Sequence, residues 1–225
     1  MVDEMRIDRT QVTLRDLALI KLRGAILDFR FKPGDRLVER DLCEQLGVSR
    51  SIVREVLCHL EAEGLVATGA QRGPSVAKPT ADEARQIYEI RALLEAMAAR
   101  ACAQNMQPEL PQRLYLQIDD IAKGYGARDL QCVLNATNEF YKVLFESAGR
   151  KVAFTVVRSL NARINQLRSL TIATPGRDKA GVSQMQRIVE AIANGDGDAA
   201  HQACIDHLTL APAIAQSLLA SSSEH

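Results

Sequence analysis

The chain has 225 residues, of which 47% are hydrophobic and 25% are charged, so it is long enough for one large domain or two small ones. Its 28 lysine and arginine residues equal its 28 aspartate and glutamate residues, which excludes a net charge that would attract a polyanion or a membrane surface. The five scattered cysteines indicate neither a disulfide framework nor a zinc finger. Without a signal peptide or an apolar run of about 18 residues, we expect a cytoplasmic protein with no membrane span.

Three short helices are predicted in the first third of the chain. Apolar residues recur at three- and four-residue steps over 13–29, and a shorter pattern of the same kind covers 39–46. Gly47 stands where a left-handed C-terminal cap is needed, and Ser49 is a suitable N-cap for a third helix that extends to about Glu63. The second and third helices are therefore separated only by a tight turn.

The rest of the chain begins with a predicted hairpin over 65–77, where two brief β-prone runs flank a glycine-containing segment. Helical periodicity then continues to the C-terminus, interrupted by prolines and glycines. The six helices predicted there cover 81–106, 109–123, 129–148, 151–173, 178–194 and 198–220. Their short loops predict an antiparallel bundle. We therefore predict a mainly α fold, with one domain at 10–78, a linker at 79–80 and a helical domain at 81–220.

Cationic and hydroxyl side chains crowd the start of the third helix. They are Ser49, Arg50, Ser51 and Arg54. Arg50 and Arg54 are four residues apart and share one face. A cation in the first helical turn opposes the helix dipole, so Arg50 is locally unfavourable unless an anion or a guanine edge meets it. Alternatively, the two arginines only solvate an exposed face, with Arg54 paired to Glu55 or Glu44.

Several motifs in residues 14–77 resemble the GntR family of bacterial transcription regulators. They are ILDFRFKPGDRL at 26–37, ERDL at 39–42, LGVSRSIVREVL at 46–57, LEAEGLV at 60–66 and RGPSV at 72–76. The resemblance implies a winged helix-turn-helix in which the 65–77 hairpin is the wing. It also implies a homodimer that binds a pseudo-palindromic operator in double-stranded DNA.

The resemblance assigns DNA contacts to seven residues. Arg40 would contact a phosphate or a base from the start of the second helix. The major groove would be read by Ser49, Arg50, Ser51 and Arg54. Arg72 and Gly73, at the tip of the wing, would face the minor groove. A guanidinium offers a bidentate fork to guanine or phosphate, and glycine lets the wing backbone approach closely. Two alternatives stay open: Ser49 is only a helix cap, and Arg54 only forms an intramolecular ion pair.

The second domain resembles the FCD ligand-sensing domain of the FadR subfamily. The motifs lie at 85–95, 98–101, 140–149, 188–196 and 206–208. Many FCD domains hold a divalent metal through one Asp or Asn and three His. The matching positions here are Thr137, Tyr141, Met185 and His207. A hydroxyl, a phenol and a thioether beside one imidazole suit a divalent ion poorly, although Asn138 supplies a ligand if the register shifts. We predict no metal and no cofactor.

A small organic acid is the predicted ligand of this domain. The candidate binding residues are Arg91, Asn138, Tyr141, Arg163 and His207. An arginine in a partly apolar cavity is a natural counter-ion for a carboxylate. Alternatively, Arg91 pairs with Glu95 or Glu89 along its own helix, and Tyr141 only fills space.

The predicted function is therefore a dimeric, sequence-specific transcription regulator that responds to a small metabolite. One alternative keeps the DNA-binding domain but has no effector, which leaves a constitutive dimeric regulator. A second alternative is a helical-bundle enzyme. We predict that the protein is not an enzyme, because the sequence has no nucleophilic triad, paired-carboxylate motif, P-loop or dinucleotide fingerprint.

Overall fold

A computed structural model describes residues 13–69, 73–172, 174 and 176–221, with all side chains in these ranges except those at 177 and 210–221. The chain divides into two compact units, of which the first ends at Ala77 and the second begins at Lys78. Within the described ranges, no helix is both long enough and apolar enough to cross a membrane.

The first unit has three helices followed by a two-stranded sheet. Its elements are α1 (Leu14–Leu27), α2 (Glu39–Leu46), α3 (Arg50–Ala62), β1 (Val66–Gly69) and β2 (Gly73–Val76). Apolar faces of α1 and α3 pack against each other, and Leu22, Ile26, Val53, Val56 and Leu60 are buried. The predicted second and third helices are confirmed, with their ends within about one residue of the prediction.

The turn between α2 and α3 follows from two residues that the sequence analysis identified. Gly47 has a φ of 66°, a left-handed conformation that suits glycine, and it ends α2. Ser49 is the N-cap of α3, because its Oγ accepts a hydrogen bond from the backbone N–H of Ile52 at 3.4 Å. Together they fix the helix-turn-helix connection.

The predicted hairpin is also confirmed. Strands β1 and β2 are antiparallel, and Val66 lies opposite Val76 in the register. Arg36 forms a further antiparallel bridge with Ser75, which joins the segment before α2 to the hairpin. The middle of the turn, including Arg72, lies outside the described residues.

The second unit is helical throughout its described elements. They are α4 (Ala81–Gln104), α5 (Leu110–Ala127), α6 (Leu130–Ser147), α7 (Lys151–Ser159), α8 (Asn161–Ile172), α9 (Arg177–Ala193) and α10 (Gly197–Ser221). Helix α4 packs on α10, and α5 packs on α6 and α9. Their shared core is built from apolar side chains, and Phe140 and Phe145 are the largest of those that are fully buried. The mainly α fold class is confirmed.

The single helix predicted over 151–173 is instead two helices, so this unit has seven described helices rather than about six. The break falls at Leu160, whose backbone N–H bonds to the carbonyl of Val157 in a tighter turn. The Ser159 hydroxyl donates to the carbonyl of Val156 at 2.7 Å, which competes with the regular helical pattern. No proline or glycine marks this break in the sequence.

Candidate DNA interface and ligand cavity

Two arginines at the start of α3 share one carboxylate. Arg50 donates from Nε to Oε2 of Glu39 at 2.6 Å. Arg54 donates from Nε to both carboxylate oxygens of Glu39, at 3.0 and 3.1 Å. Glu39 lies in the first turn of α2, so the packing of α2 on α3 brings the three side chains together. Hydrogen bonds from Arg50 and then Arg54 lower the pKa of the Glu39 carboxyl below its ordinary value.

This arrangement leaves the two guanidiniums available to a partner. The side chain of Arg50 is 70% exposed and that of Arg54 is 61% exposed, whereas that of Glu39 is only 23% exposed. Both arginines bond to Glu39 through Nε alone. In the described part of the chain, no group accepts a hydrogen bond from their terminal amino groups. These amino groups are the ones that form a bidentate fork with guanine or phosphate.

The other predicted DNA-contact residues lie around this pair or on the hairpin. Arg40 is 83% exposed, and its Nε lies 3.3 Å from Oδ1 of Asp41. Ser51 is exposed, and its hydroxyl is 3.5 Å from Oε1 of Glu55. Gly73 begins β2 with a φ of 70°. The capping role of Ser49 is present, and Arg54 pairs with Glu39 rather than with Glu55 or Glu44.

The second unit contains a cavity of about 50 Å³. Residues from α4, α5, α6, α8, α9 and α10 line it. Its polar lining includes Arg91, Thr137, Arg168, Thr171 and His207. Two of the five predicted ligand-binding residues, Arg91 and His207, therefore lie on the cavity wall. The Nδ1 atom of His207 is 3.2 Å from Oε1 of Gln184.

The alternative pairing of Arg91 is present in the structure. Arg91 donates from Nε to Oε1 of Glu95 at 2.7 Å and from Nη2 to Oε2 at 3.2 Å. Both side chains are buried, at 2% and 0% exposure. Burial alone would lower the pKa of Arg91, but the neighbouring Glu95 carboxylate holds that pKa above its ordinary value. The charge of Arg91 is therefore already balanced by its own helix.

A second buried guanidinium, that of Arg168, has only neutral partners. Its Nη1 donates to Oδ1 of Asn138 at 2.7 Å and to Oδ1 of Asn165 at 3.2 Å. Burial, together with repulsion from Arg91, lowers the pKa of Arg168 to about 10. Arg168 is therefore still protonated at neutral pH, and its charge lies in the cavity wall.

Tyr141 lies beneath both guanidiniums. The Cζ atoms of Arg91 and Arg168 are 5.5 and 5.3 Å from the centre of its ring, within the range of cation–π contacts. The Tyr141 hydroxyl is buried and has no hydrogen-bond partner among the described residues. Burial raises the pKa of Tyr141 well above its ordinary value, so the phenol stays neutral.

Arg163, by contrast, is exposed on α8 and is not among the residues that line the cavity. Five residues at about 100° each place Arg168 about 140° around the helix from Arg163. The arginine of α8 that lines the cavity is therefore Arg168, which was not among the predicted residues. The available signal was the polar run from Asn165 to Ser169, in which every side chain except Leu167 is polar and all are buried.

The four residues at the metal-ligand positions of FCD domains do not fit a divalent ion. The Thr137 hydroxyl donates to the carbonyl of Val133 at 2.7 Å, and the Tyr141 phenol is held neutral. Met185 offers a thioether, a soft ligand that suits neither a hard nor a borderline divalent ion. Across the described residues, no group of three His, Cys, Asp or Glu side chains comes together.

Comparison with protein families settles the class of protein. Residues 18–76 match the family described as bacterial regulatory proteins, gntR family, and residues 86–210 match the FCD domain. The chain belongs to the GntR family and carries an FCD domain. This GntR-family chain is a DNA-binding transcription regulator with a winged helix-turn-helix, and it is not an enzyme. The predictions that the protein is a transcription regulator and that it is not an enzyme are therefore confirmed.

Individual relatives agree with the family. The HTH-type transcriptional regulator YdhC of Bacillus subtilis (strain 168) is 27% identical to this GntR-family chain over 189 residues, which cover 83% of this chain and 84% of YdhC. The HTH-type transcriptional repressor RspR of Escherichia coli (strain K12) is 26% identical over 212 residues, which cover 92% of this chain and 91% of RspR.

Two solved structures share the fold. A transcriptional regulator GntR from Rhodococcus sp. RHA1 superposes with a TM-score of 0.75 at 26% identity, covering 90% of this chain and 97% of that one. E. coli McbR/YncC superposes with the same TM-score, 0.75, at 20% identity. The match covers 92% of this chain and 99% of the McbR/YncC chain. These structures therefore share the fold of this chain, a winged helix-turn-helix followed by a helical bundle.

Proposed function

We propose that this regulator binds a pseudo-palindromic operator as a cytoplasmic homodimer and responds to a small organic acid in its FCD domain. The functional domains are those at 10–78 and 81–220, joined by the linker at 79–80. The observation that carries the proposal is the pair of exposed arginines, Arg50 and Arg54, held by the single carboxylate of Glu39 at the start of α3.

The start of α3 supplies the base-reading groups. In a helix-turn-helix, the second helix enters the major groove and its first residues meet the base edges. Arg50 and Arg54 present free terminal amino groups there, and guanine O6 and N7 are their natural acceptors. Ser51 adds a hydroxyl to the same surface. Ser49 caps the helix, and its exposed position also allows a phosphate contact.

Two further groups contact the DNA outside the major groove. Arg40 is highly exposed at the start of α2 and neutralises a phosphate, which sets the register of the protein on the duplex. Arg72 and Gly73 reach the minor groove from the wing. Gly73 has a positive φ and no side chain, so the strand backbone there approaches the DNA closely.

The FCD cavity supplies the effector site. Two guanidiniums and one imidazole line or adjoin it, and Asn138 and Tyr141 contact the second guanidinium. A carboxylate suits such a set of donors, because its two oxygens match the planar fork of a guanidinium. If effector and operator affinities are coupled, the coupling is reciprocal, and about 1–3 kcal/mol is enough for a switch.

The test of this proposal is selection of binding sites from a pool of random duplex DNA by the full-length protein. The expected result is a two-fold symmetric consensus with half-sites about 34–36 Å apart, or a multiple of that distance. Light scattering of the complex with the selected site should give two chains per duplex. Recovery of sequences without a consensus would contradict the proposal.

A constitutive regulator without an effector is the second candidate. It is favoured by the Arg91–Glu95 pair, which already satisfies one of the two cavity arginines, and by the small volume of the cavity. Melting curves of the full-length protein with and without small carboxylates separate the two candidates, because a ligand that binds only the folded state raises the melting temperature.

A further inference from the structure

The FCD cavity has an unbalanced positive charge in its wall. The buried arginine and carboxylate side chains that meet there are Arg91, Glu95 and Arg168, which sum to one positive charge. Glu95 is the one buried carboxylate among the described residues, and both of its oxygens accept hydrogen bonds from Arg91. Burying an ion without a counter-ion is costly, so a fold that keeps such a charge has to obtain compensation from elsewhere.

Arg168 carries the unbalanced charge. Its two hydrogen bonds both start from Nη1 and end on amide oxygens, which are neutral. In the described part of the chain, Nε and Nη2 of Arg168 have no acceptor. Arg168 lines the cavity, as do Thr137 and His207. Two of its donors are therefore available to an oxygen acceptor that enters the cavity.

We propose that Arg168 binds a compact monocarboxylate directly, so that its guanidinium supplies the fixed positive charge that a metal ion would otherwise supply. The proposal rests on the proposed effector function of the FCD domain and names its ligand class and its anchoring residue. One negative charge balances the buried set. The planar fork of Arg168 matches the two oxygens of a carboxylate, and Asn138 and Asn165 hold the guanidinium in place.

The size of the cavity limits the ligand. A volume of about 50 Å³ exceeds what one water needs, which is about 10–15 Å³, yet it is far below the roughly 300–1,000 Å³ of sites for drug-sized molecules. The neutral phenol of Tyr141 and the buried thioether of Met185 add no charge to the site. The matching ligand is therefore a short-chain acid rather than a long-chain or polyanionic one.

The experiment measures the melting temperature of the full-length protein in sodium acetate, propionate or butyrate, each against the same concentration of sodium chloride. Acetamide, which has the shape of acetate but no charge, is the neutral control. We expect at least one of the three acids to raise the melting temperature by about 2–4 °C or more at a concentration well above its Kd, and acetamide to have no effect. Calorimetric titration then gives the Kd.

Two substitutions locate the effect at Arg168. Arg168→Met keeps the volume and removes the charge, so carboxylate binding should weaken at least tenfold. Arg163→Met, on the same helix but exposed, is the matched control and should leave carboxylate binding unchanged.

A second pair of variants covers the case in which Arg168→Met does not fold. Asn138→Asp places a carboxylate 2.7 Å from Nη1 of Arg168, so it should raise the melting temperature without ligand and remove the response to carboxylates. Asn135→Asp makes the same chemical change at an exposed position of the same helix, where Asn135 accepts a hydrogen bond from Gln131. That variant should respond as the wild type does.

The proposal is overturned if none of the three acids stabilises the wild type more than chloride does. It is also overturned if the Arg168→Met or Asn138→Asp variant keeps the full response. The DNA-binding proposal is tested separately by site selection. If the wild-type protein selects a symmetric operator but none of the three acids raises its melting temperature, the proposed role of Arg168 is refuted and the DNA-binding proposal stands.

Discussion

Glu39 accepts a 2.6 Å hydrogen bond from Nε of Arg50, and this contact ties the first turn of α2 to the first turn of α3. An arginine at the start of a helix opposes the helix dipole, and the Glu39 carboxylate offsets that repulsion. The same carboxylate accepts from Arg54, so one acidic side chain positions both cations. Because each arginine bonds to Glu39 through Nε, the terminal amino groups of both guanidiniums remain available to a partner.

Replacing Glu39 by Gln tests this positioning role. The carboxylate charge is lost while the size of the side chain is kept, so both arginines become less ordered. We expect affinity for the selected operator to fall by about tenfold, at the low end of the loss for a base-reading arginine. Affinity for shuffled DNA should not fall, because a negative charge has been removed near the phosphates. Fluorescence anisotropy at one salt concentration measures both affinities.

The control for that measurement is Glu44→Gln, which removes the same charge from an exposed position of α2. It should leave the ratio of the two affinities unchanged. Equal effects of the two substitutions would mean that Glu39 acts only through net charge.

Replacing Glu95 by Gln tests the buried charge balance of the FCD unit. The change leaves the buried Arg91 guanidinium without its counter-ion, and breaking a buried pair in this way typically costs about 3–5 kcal/mol. Urea denaturation measures the loss in free energy of unfolding. Glu89→Gln, in an exposed pair with Arg85 on the same helix, should cost far less. Similar costs for both would contradict the account of the cavity.

Alanine substitutions at two glycines of α5 should change the stability of the protein in opposite directions. A Cβ at Gly124 would lie 2.8 Å from Cγ2 of Val133 and 3.0 Å from its backbone nitrogen, so Gly124→Ala should destabilise the protein by about 1–3 kcal/mol. Gly126 has nothing within 4 Å of such a Cβ, and Gly126→Ala should stabilise by up to about 1 kcal/mol. Thermal melting distinguishes the signs, and a stabilising Gly124→Ala would contradict the close approach of α5 and α6.

The side chains at the metal-ligand positions of the FCD unit also predict that the protein holds no divalent ion. A hydroxyl bonded to the backbone, a neutral phenol and a thioether hold a divalent ion poorly. After dialysis against a chelator and then buffer, elemental analysis should find well under one divalent ion per chain, and added zinc should not raise the melting temperature. Stoichiometric zinc or nickel would contradict this prediction.

Much of the fold was predictable because it follows from local rules. The left-handed Gly47 and the capping Ser49 mark the helix-turn-helix in the sequence, and proline and glycine breaks mark most helices of the second unit. The break at Leu160 was not predictable, since it depends on a serine that bonds to the backbone rather than on a residue that excludes helix.

The sites were predictable only in part, because their decisive contacts join residues that are distant in sequence. The sequence offered Glu55 and Glu44 as partners of Arg54, whereas the packing of α2 on α3 selects Glu39. Within α8 the sequence offered Arg163, but the buried face of that helix carries Arg168. The Arg91–Glu95 pair was foreseen as an alternative, since a spacing of four residues along a helix is a local relationship.

The central claim is that the start of α3 reads base sequence, and the affinity of Arg50→Ala for the selected operator tests it most directly. Wild type should bind the operator at least about a thousandfold more tightly than shuffled DNA at the same salt concentration. Arg50→Ala should lose roughly tenfold to a hundredfold of that preference, with relaxed selection at one base pair of each half-site. Arg40→Ala, the control, should weaken binding to both DNAs alike and reduce the salt dependence. An Arg50→Ala protein that keeps the full preference for the operator would contradict the account.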